Sequence, residues 1–130
     1  MRDLYNNLSV VLASAPATRA AALTTGTVAD LQGYESALVV IETGVVTDGT
    51  STPALMESAD NTTFTAVAAA DLQGAFVALV AGVQKVGYQG AKRYLRLDTA
   101  IAATTTGALW GAVIIKGHAR HNPAGATQTP

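Results

Sequence analysis

The chain has no cysteine, which excludes a disulfide framework and a thiolate metal site and leaves the redox compartment open. Charge is scarce too. Asp, Glu, Lys and Arg make up 13% of the residues, against roughly 25% in an ordinary soluble domain. The net charge of −1 argues against a general nucleic-acid partner, because phosphate contacts need clustered Lys and Arg. Aromatics are 5% with a single Trp, so stacking platforms for sugars or single strands are few. The longest apolar runs, such as Ala75–Val83, fall well short of the ~20 residues a membrane helix needs, so no membrane partner is expected. The small residues around Ala13–Ala15 resemble a leader cleavage site. The apolar run Leu8–Leu12 is too short for one, however, and Asp3 offsets Arg2.

Ala, Thr and Gly stand where Lys and Glu would normally keep a lone monomer soluble. From this we expect a surface covered by other protein chains, the alternative being a monomer with an Ala/Thr surface. A length of 130 residues corresponds to one domain.

The most legible stretch is Val83–Ile101. Leu95, Leu97 and Ile101 fall on one side of an extended chain and Tyr94, Arg96 and Asp98 on the other, the pattern of a half-buried strand. Gly87–Gly90 reads as the turn of an antiparallel hairpin joining Val83–Val86 to Lys92–Leu97. Upstream, Leu8–Leu12 suits a first strand at a sheet edge, bounded by Pro16. Thr18–Leu23 reads as extended, and Thr27–Leu31 runs into a turn at Gln32-Gly33. Ser36–Val46 is apolar and β-branched, which predicts a strand buried on both faces. Asp48-Gly49 then predicts a hairpin to Ala54–Ser58, and Asp60-Asn61 a turn before Thr62–Val67. Ala68–Val83 reads as strand, turn at Asp71–Gly74 and strand at Phe76–Val80, with an Ala-rich helix over Ala66–Leu79 as the alternative. After a Thr-rich turn at Ala102–Gly107, Leu109–Lys116 is a second run apolar on both faces and should lie centrally in a sheet.

About eight short strands with turn signals every ~8–12 residues predict a single-domain all-β sandwich, of jelly-roll or related Greek-key form. We place it at residues 1–117 with an N-terminal arm, followed by an extended tail at 118–130. The pentapeptide Ala29–Gly33 recurs as Ala70–Gly74, as two equivalent corners of a sandwich would.

No residue set recommends catalysis. A Ser/His/Asp trio can be drawn from Ser36, His118 and Asp98, but no nucleophile elbow frames it. His118 and His121 are too few ligands for Zn²⁺, the calcium-loop and phosphate-loop spacings are absent, and no enzyme, metal or cofactor is expected. Arg93 and Arg96 flank Tyr94 and could meet an acidic partner or a sugar. Same-face pairing of Arg96 with Asp98 favours a role in the fold or a subunit contact. Arg93, Tyr94, Arg96, His118, Arg120 and His121 are the expected protein-contact residues.

The blocks Asp30–Gly44, Glu57–Val67, Val86–Leu97 and Gly117–Pro123 together resemble a group of small structural proteins of tailed bacteriophages. That resemblance implies a virion component made in the host cytoplasm, similar to jelly-roll cement (decoration) proteins on the outer capsid. Its partners would be the major capsid protein and itself, as a dimer or trimer. A head-tail connector or tail protein is the alternative within that class. Where the group has Gly in the S-x-D-G-x-x-F turn this chain has Asn61, which tolerates the same left-handed backbone. The S-x-D…F…R-Y-x-R pattern also resembles discoidin-like carbohydrate-binding sandwiches, so a glycan-binding module is the rival.

Overall fold

The computed structural model describes residues 5–20, 27–102 and 106–119. They form two antiparallel sheets packed face to face as a single β-sandwich. In chain order the strands are β1 (Ser9–Arg19), β2 (Ala29–Asp30), β3 (Tyr34–Val46), β4 (Thr50–Ser58), β5 (Thr65–Ala66), β6 (Leu72–Gln73), β7 (Gly82–Tyr88), β8 (Tyr94–Ala102) and β9 (Ala108–Ala119), with a short 3₁₀ turn at Ala69–Asp71. One sheet runs β1-β9-β3-β7-β6 and the other β2-β8-β4-β5. The pairing is nested: β1 with β9, β2 with β8, β3 with β7, β4 with β5. A chain that pairs first with last and works inward is one long hairpin wound around a core, which is the wiring of a jelly roll.

The core lies between the sheets. Val11, Val39, Ile41, Val86, Trp110 and Ile114 enter it from the five-stranded sheet, and Leu55, Leu95 and Leu97 from the four-stranded one. Strand β8 behaves as its period-2 pattern predicts, with Leu95, Leu97 and Thr99 buried between half-buried Tyr94, Arg96 and Asp98. Leu8–Leu12 is the start of an edge strand, β1, which continues through Pro16 by means of register shifts between Leu12 and Ala17. Strand β9 lies centrally between β1 and β3, as expected.

Two expected hairpins are not present. Gly87–Gly90 does not fold Val83–Val86 onto Lys92–Leu97: β7 pairs with β3 and β6, whereas β8 pairs with β2 and β4. Asp48-Gly49 likewise carries the chain from β3 in one sheet to β4 in the other. Gly49 has the predicted positive φ, 73°. The Asp48 carboxylate, however, accepts the N–H groups of Thr106 and Gly107 and so ties two inter-sheet connections together. Reversal chemistry is common to hairpins and arches, and only burial on the far side decides which forms.

Phe76–Val80 is not a strand, nor is Ala66–Leu79 a helix. The segment is irregular, with Leu79 plugging the core and its N–H bonded to the Ser51 carbonyl. Ser36–Val46 is not buried on both faces either: Ala37, Val39, Ile41 and Thr43 are buried, while Leu38 and Val40 on the opposite side are only half-buried. Parts of the extended reading at Thr18–Leu23, of the turn at Ala102–Gly107 and of the tail lie outside the described residues, although β9 reaches Ala119.

The two copies of the repeated pentapeptide do not form equivalent corners: Ala29–Asp30 is strand β2 ahead of a turn, whereas Asp71 ends the 3₁₀ turn and Leu72–Gln73 is strand β6. Gly33 and Gly74 both turn the chain at positive φ, 89° and 94°. One copy bonds Leu31 N–H to the Arg93 carbonyl and the other accepts the Gln89 N–H on the Asp71 carbonyl. The two copies therefore brace the two ends of the crossover between β7 and β8.

The β4–β5 turn is a true hairpin. Asn61 takes up a left-handed φ of 60°, and Asp60 receives the N–H groups of Thr62 and Thr63 and the Ser58 hydroxyl. These donors, Thr63 first, hold the Asp60 carboxyl down at about 2 from its ordinary 3.8. A folded value below the unfolded one means that the turn's contribution is present above 3.8 and fades as pH falls toward 2. Replacing Asp60 with Asn should flatten that acid-side loss in a pH series of urea midpoints. For the core, Leu97→Ala should cost about 2–5 kcal/mol in the same denaturation assay, since Leu97 is fully buried between the sheets.

Candidate interaction surface

The expected contact residues on β8 and just before it are already engaged. Arg93 grips Asp30 through two 2.8 Å bonds and gives a third, 2.7 Å, to Gln32 Oε1, while its guanidinium lies 4.9 Å from the Tyr94 ring centroid. The Arg93 guanidinium, followed by the Gln32 N–H, holds Asp30 below the usual carboxylate range. Arg96 makes two 3.0 Å bonds to Asp98 and lies over Phe64 at 4.3 Å. These pairs fasten β2 and the β4–β5 hairpin region to β8, and they leave neither Arg93 nor Arg96 as an unpaired cation.

His118 is placed elsewhere, on β9 of the five-stranded sheet. It adopts φ 53° and its Nδ1 lies 2.7 Å from Ser36 Oγ. Two members of the drawable Ser/His/Asp trio therefore meet, but Asp98 is on the opposite sheet in the grip of Arg96, and the three form no relay. Arg120 and His121 lie outside the described residues.

Ser36 and Arg93 share one feature, a cleft of about 400 Å³ at one end of the sandwich, lined by Leu31–Ser36, Tyr88 and Gly90–Arg93. Tyr88 organises this end. Its hydroxyl donates to Glu57 Oε1 at 2.8 Å and accepts the Lys92 N–H at 3.0 Å, linking the sheets across the β7–β8 crossover. Burial and the nearby Glu57 carboxylate raise its pKa, so the phenol stays protonated. Gly90 passes so close to the ring that a Cβ there would collide with it.

The aromatic side chains offer no open platform among the described residues. Tyr34, Phe64, Tyr94 and Trp110 each lie under a Lys or Arg, Tyr88 is buried and Phe76 packs on the core. Only Tyr5, 74% exposed, presents a free ring.

The feature missed in the sequence is the outer face of the five-stranded sheet. Midway along β1, β3 and β9 the residues that alternate with the core are themselves aliphatic. Val10, Ile115 and Leu38 form one row across three strands, and Leu12, Val113 and Val40 the next. Five of these are half-buried by their neighbours and Leu12 is exposed. The second sheet covers the inner face, and among the described residues no sheet lies against the outer one. Beside these rows is a groove of about 410 Å³ walled by Leu12, Pro16, Val40, Leu109 and Val113, with Gly44 and Gly111 among its lining. The outer face of the four-stranded sheet is more polar, carrying Thr50, Thr52, Ala54, Met56, Arg96 and Asp98. The signal for the aliphatic face was available in the two runs that read as apolar on both sides.

No protein-family model matches the chain, and no curated protein is similar to it in sequence. One consequence of the geometry is direct. Tyr88→Phe removes both the donor to Glu57 and the acceptor for Lys92 while keeping the ring, so it should cost about 1–3 kcal/mol in chemical denaturation.

Proposed function

We propose that the chain is a non-catalytic assembly protein, a structural component of a tailed-phage particle that decorates and stabilises the capsid shell. The observation that carries this reading is the aliphatic outer face of the five-stranded sheet, in a chain whose charged fraction is 13%. Ordinary two-layer sandwiches place polar residues outward on each sheet, and contiguous apolar surface of this kind marks a protein contact. The resemblance of Asp30–Gly44, Glu57–Val67 and Val86–Leu97 to small phage structural proteins supplies the setting, with the major capsid protein as partner and the capsid surface as location. A jelly roll by itself is shared by many functions and adds only compatibility.

The glycan-binding rival is less favoured in this reading, because Tyr94 is stacked beneath Arg93 and half-buried. Stabilisation would work by mass action: a protein that binds the assembled shell and not its dissociated subunits favours the shell at every occupied site. Purified chain mixed with assembled heads of the phage that encodes it should co-sediment at a fixed ratio of hundreds of copies per particle, and heads stripped of it should open at lower temperature. Binding of about a dozen copies would indicate a connector component instead, and no binding would remove the virion reading.

A further inference from the structure

We infer that the aliphatic outer face of the five-stranded sheet is the contact between two copies of this chain, stacked sheet on sheet about a two-fold axis. This rests on the reading of the chain as an assembly protein and names the partner of that surface.

Four observations select a second copy. The first is shape. Sheets stack at about 10 Å with aliphatic side chains interdigitating, and the rows Val10–Ile115–Leu38 and Leu12–Val113–Val40 repeat on the outside the chemistry by which Val11, Val39 and Ile114 pack inside. A second copy offers the same flat aliphatic array, and the groove beside Gly44 and Gly111 receives side chains that stand out from it.

The second is charge. On this face the charged side chains among the described strands are Glu42 and Lys85, both exposed and one of each sign. Two copies therefore meet without net repulsion, and the pair can cross-match between them.

The third is extent. Four strands about 4.8 Å apart, spanning some eight residues at about 3.3 Å each, cover roughly 500 Å² in projection. With the relief of the side chains this approaches the ~600 Å² per partner at which stable interfaces begin.

The fourth is elimination of edges. Both strands of the four-stranded sheet's margin, β2 and β5, are two residues long, as is β6, and β1 is interrupted by register shifts and Pro16. Short or interrupted outermost strands disfavour association by strand addition, although β4, β7 and β8 each run on past the two-residue strand beside them, whereas the outer rows of the five-stranded sheet present side chains rather than backbone.

The test is sedimentation velocity and native mass spectrometry of the purified chain at micromolar concentration, on the wild type and on three single variants, with far-UV circular dichroism as the check on folding. Val113→Lys and Leu38→Lys each place an ammonium in the centre of the face without touching the core. Each should weaken a wild-type dimer on the order of 100-fold, the effect of disrupting a central interface residue, and leave the spectrum unchanged. Ala100→Lys, on the outer face of the other sheet, should leave the dimer intact. A wild-type monomer, a trimer, a dimer indifferent to both β3 and β9 variants, or one equally sensitive to Ala100→Lys would overturn the assignment. Shell binding is scored separately: a dimer that ignores shells removes the decoration reading and keeps the interface, and a monomer that binds shells does the reverse.

Discussion

A sheet with two aliphatic faces cannot be satisfied by one partner sheet, and most of what is distinctive in this molecule follows from that constraint. Strands β1, β3 and β9 carry branched aliphatic side chains at both odd and even positions. The inner set closes on Leu55, Leu95 and Leu97 of the opposite sheet. The outer set is left at the surface, where burying apolar area is favourable whenever a complementary surface arrives. The low charge of the chain is the same constraint seen in composition: residues that would normally solvate an outer face are missing from this one. The four-stranded sheet differs, its outward Thr and Ala standing beside a part-buried Arg96–Asp98 pair covered by Phe64.

What could be read from the sequence depended on how local the cause was. Strand β8 was legible because its alternation is a property of consecutive residues, and the Arg96–Asp98 pair was legible because the two are separated by one residue on one face. Asn61 was legible as a left-handed turn residue for the same reason. The partner of a strand is a different kind of fact. Asp48-Gly49 and Gly87–Gly90 reverse the chain as their chemistry requires, yet each delivers it to the other sheet, because the partner is fixed by which faces must meet across the core. The irregular path around Leu79 is likewise decided by a space in the core and a carbonyl on β4, neither of which leaves a mark on neighbouring residues.

The contact residues show the same division. Arg93 reads as an available cation until Asp30, 63 residues away in the chain, is found against it. The aliphatic runs at Ser36–Val46 and Leu109–Lys116 read as strands from composition alone, but composition does not separate burial within one domain from an apolar outer face. An apolar strand face favours being covered and carries no statement of whether the cover belongs to the same chain. Such runs in a small sandwich are therefore as informative about assembly as about folding.

The margins of the two sheets have a consequence for how such a protein behaves when crowded. A β-domain gathered at high density on a surface is in danger of zipping along exposed strand ladders into fibres, since every added copy presents a fresh ladder to the next. Here the outermost strands β2, β5 and β6 are only two residues long and β1 is broken by Pro16, so the regular ladder open to another copy is confined to the parts of β4, β7 and β8 that run past those short strands. Contact through a face is self-limiting in a way that contact through an edge is not: once two sheets are stacked, both sticky sides are spent. Short outer strands in place of long ones shorten the template that any one copy offers to the next.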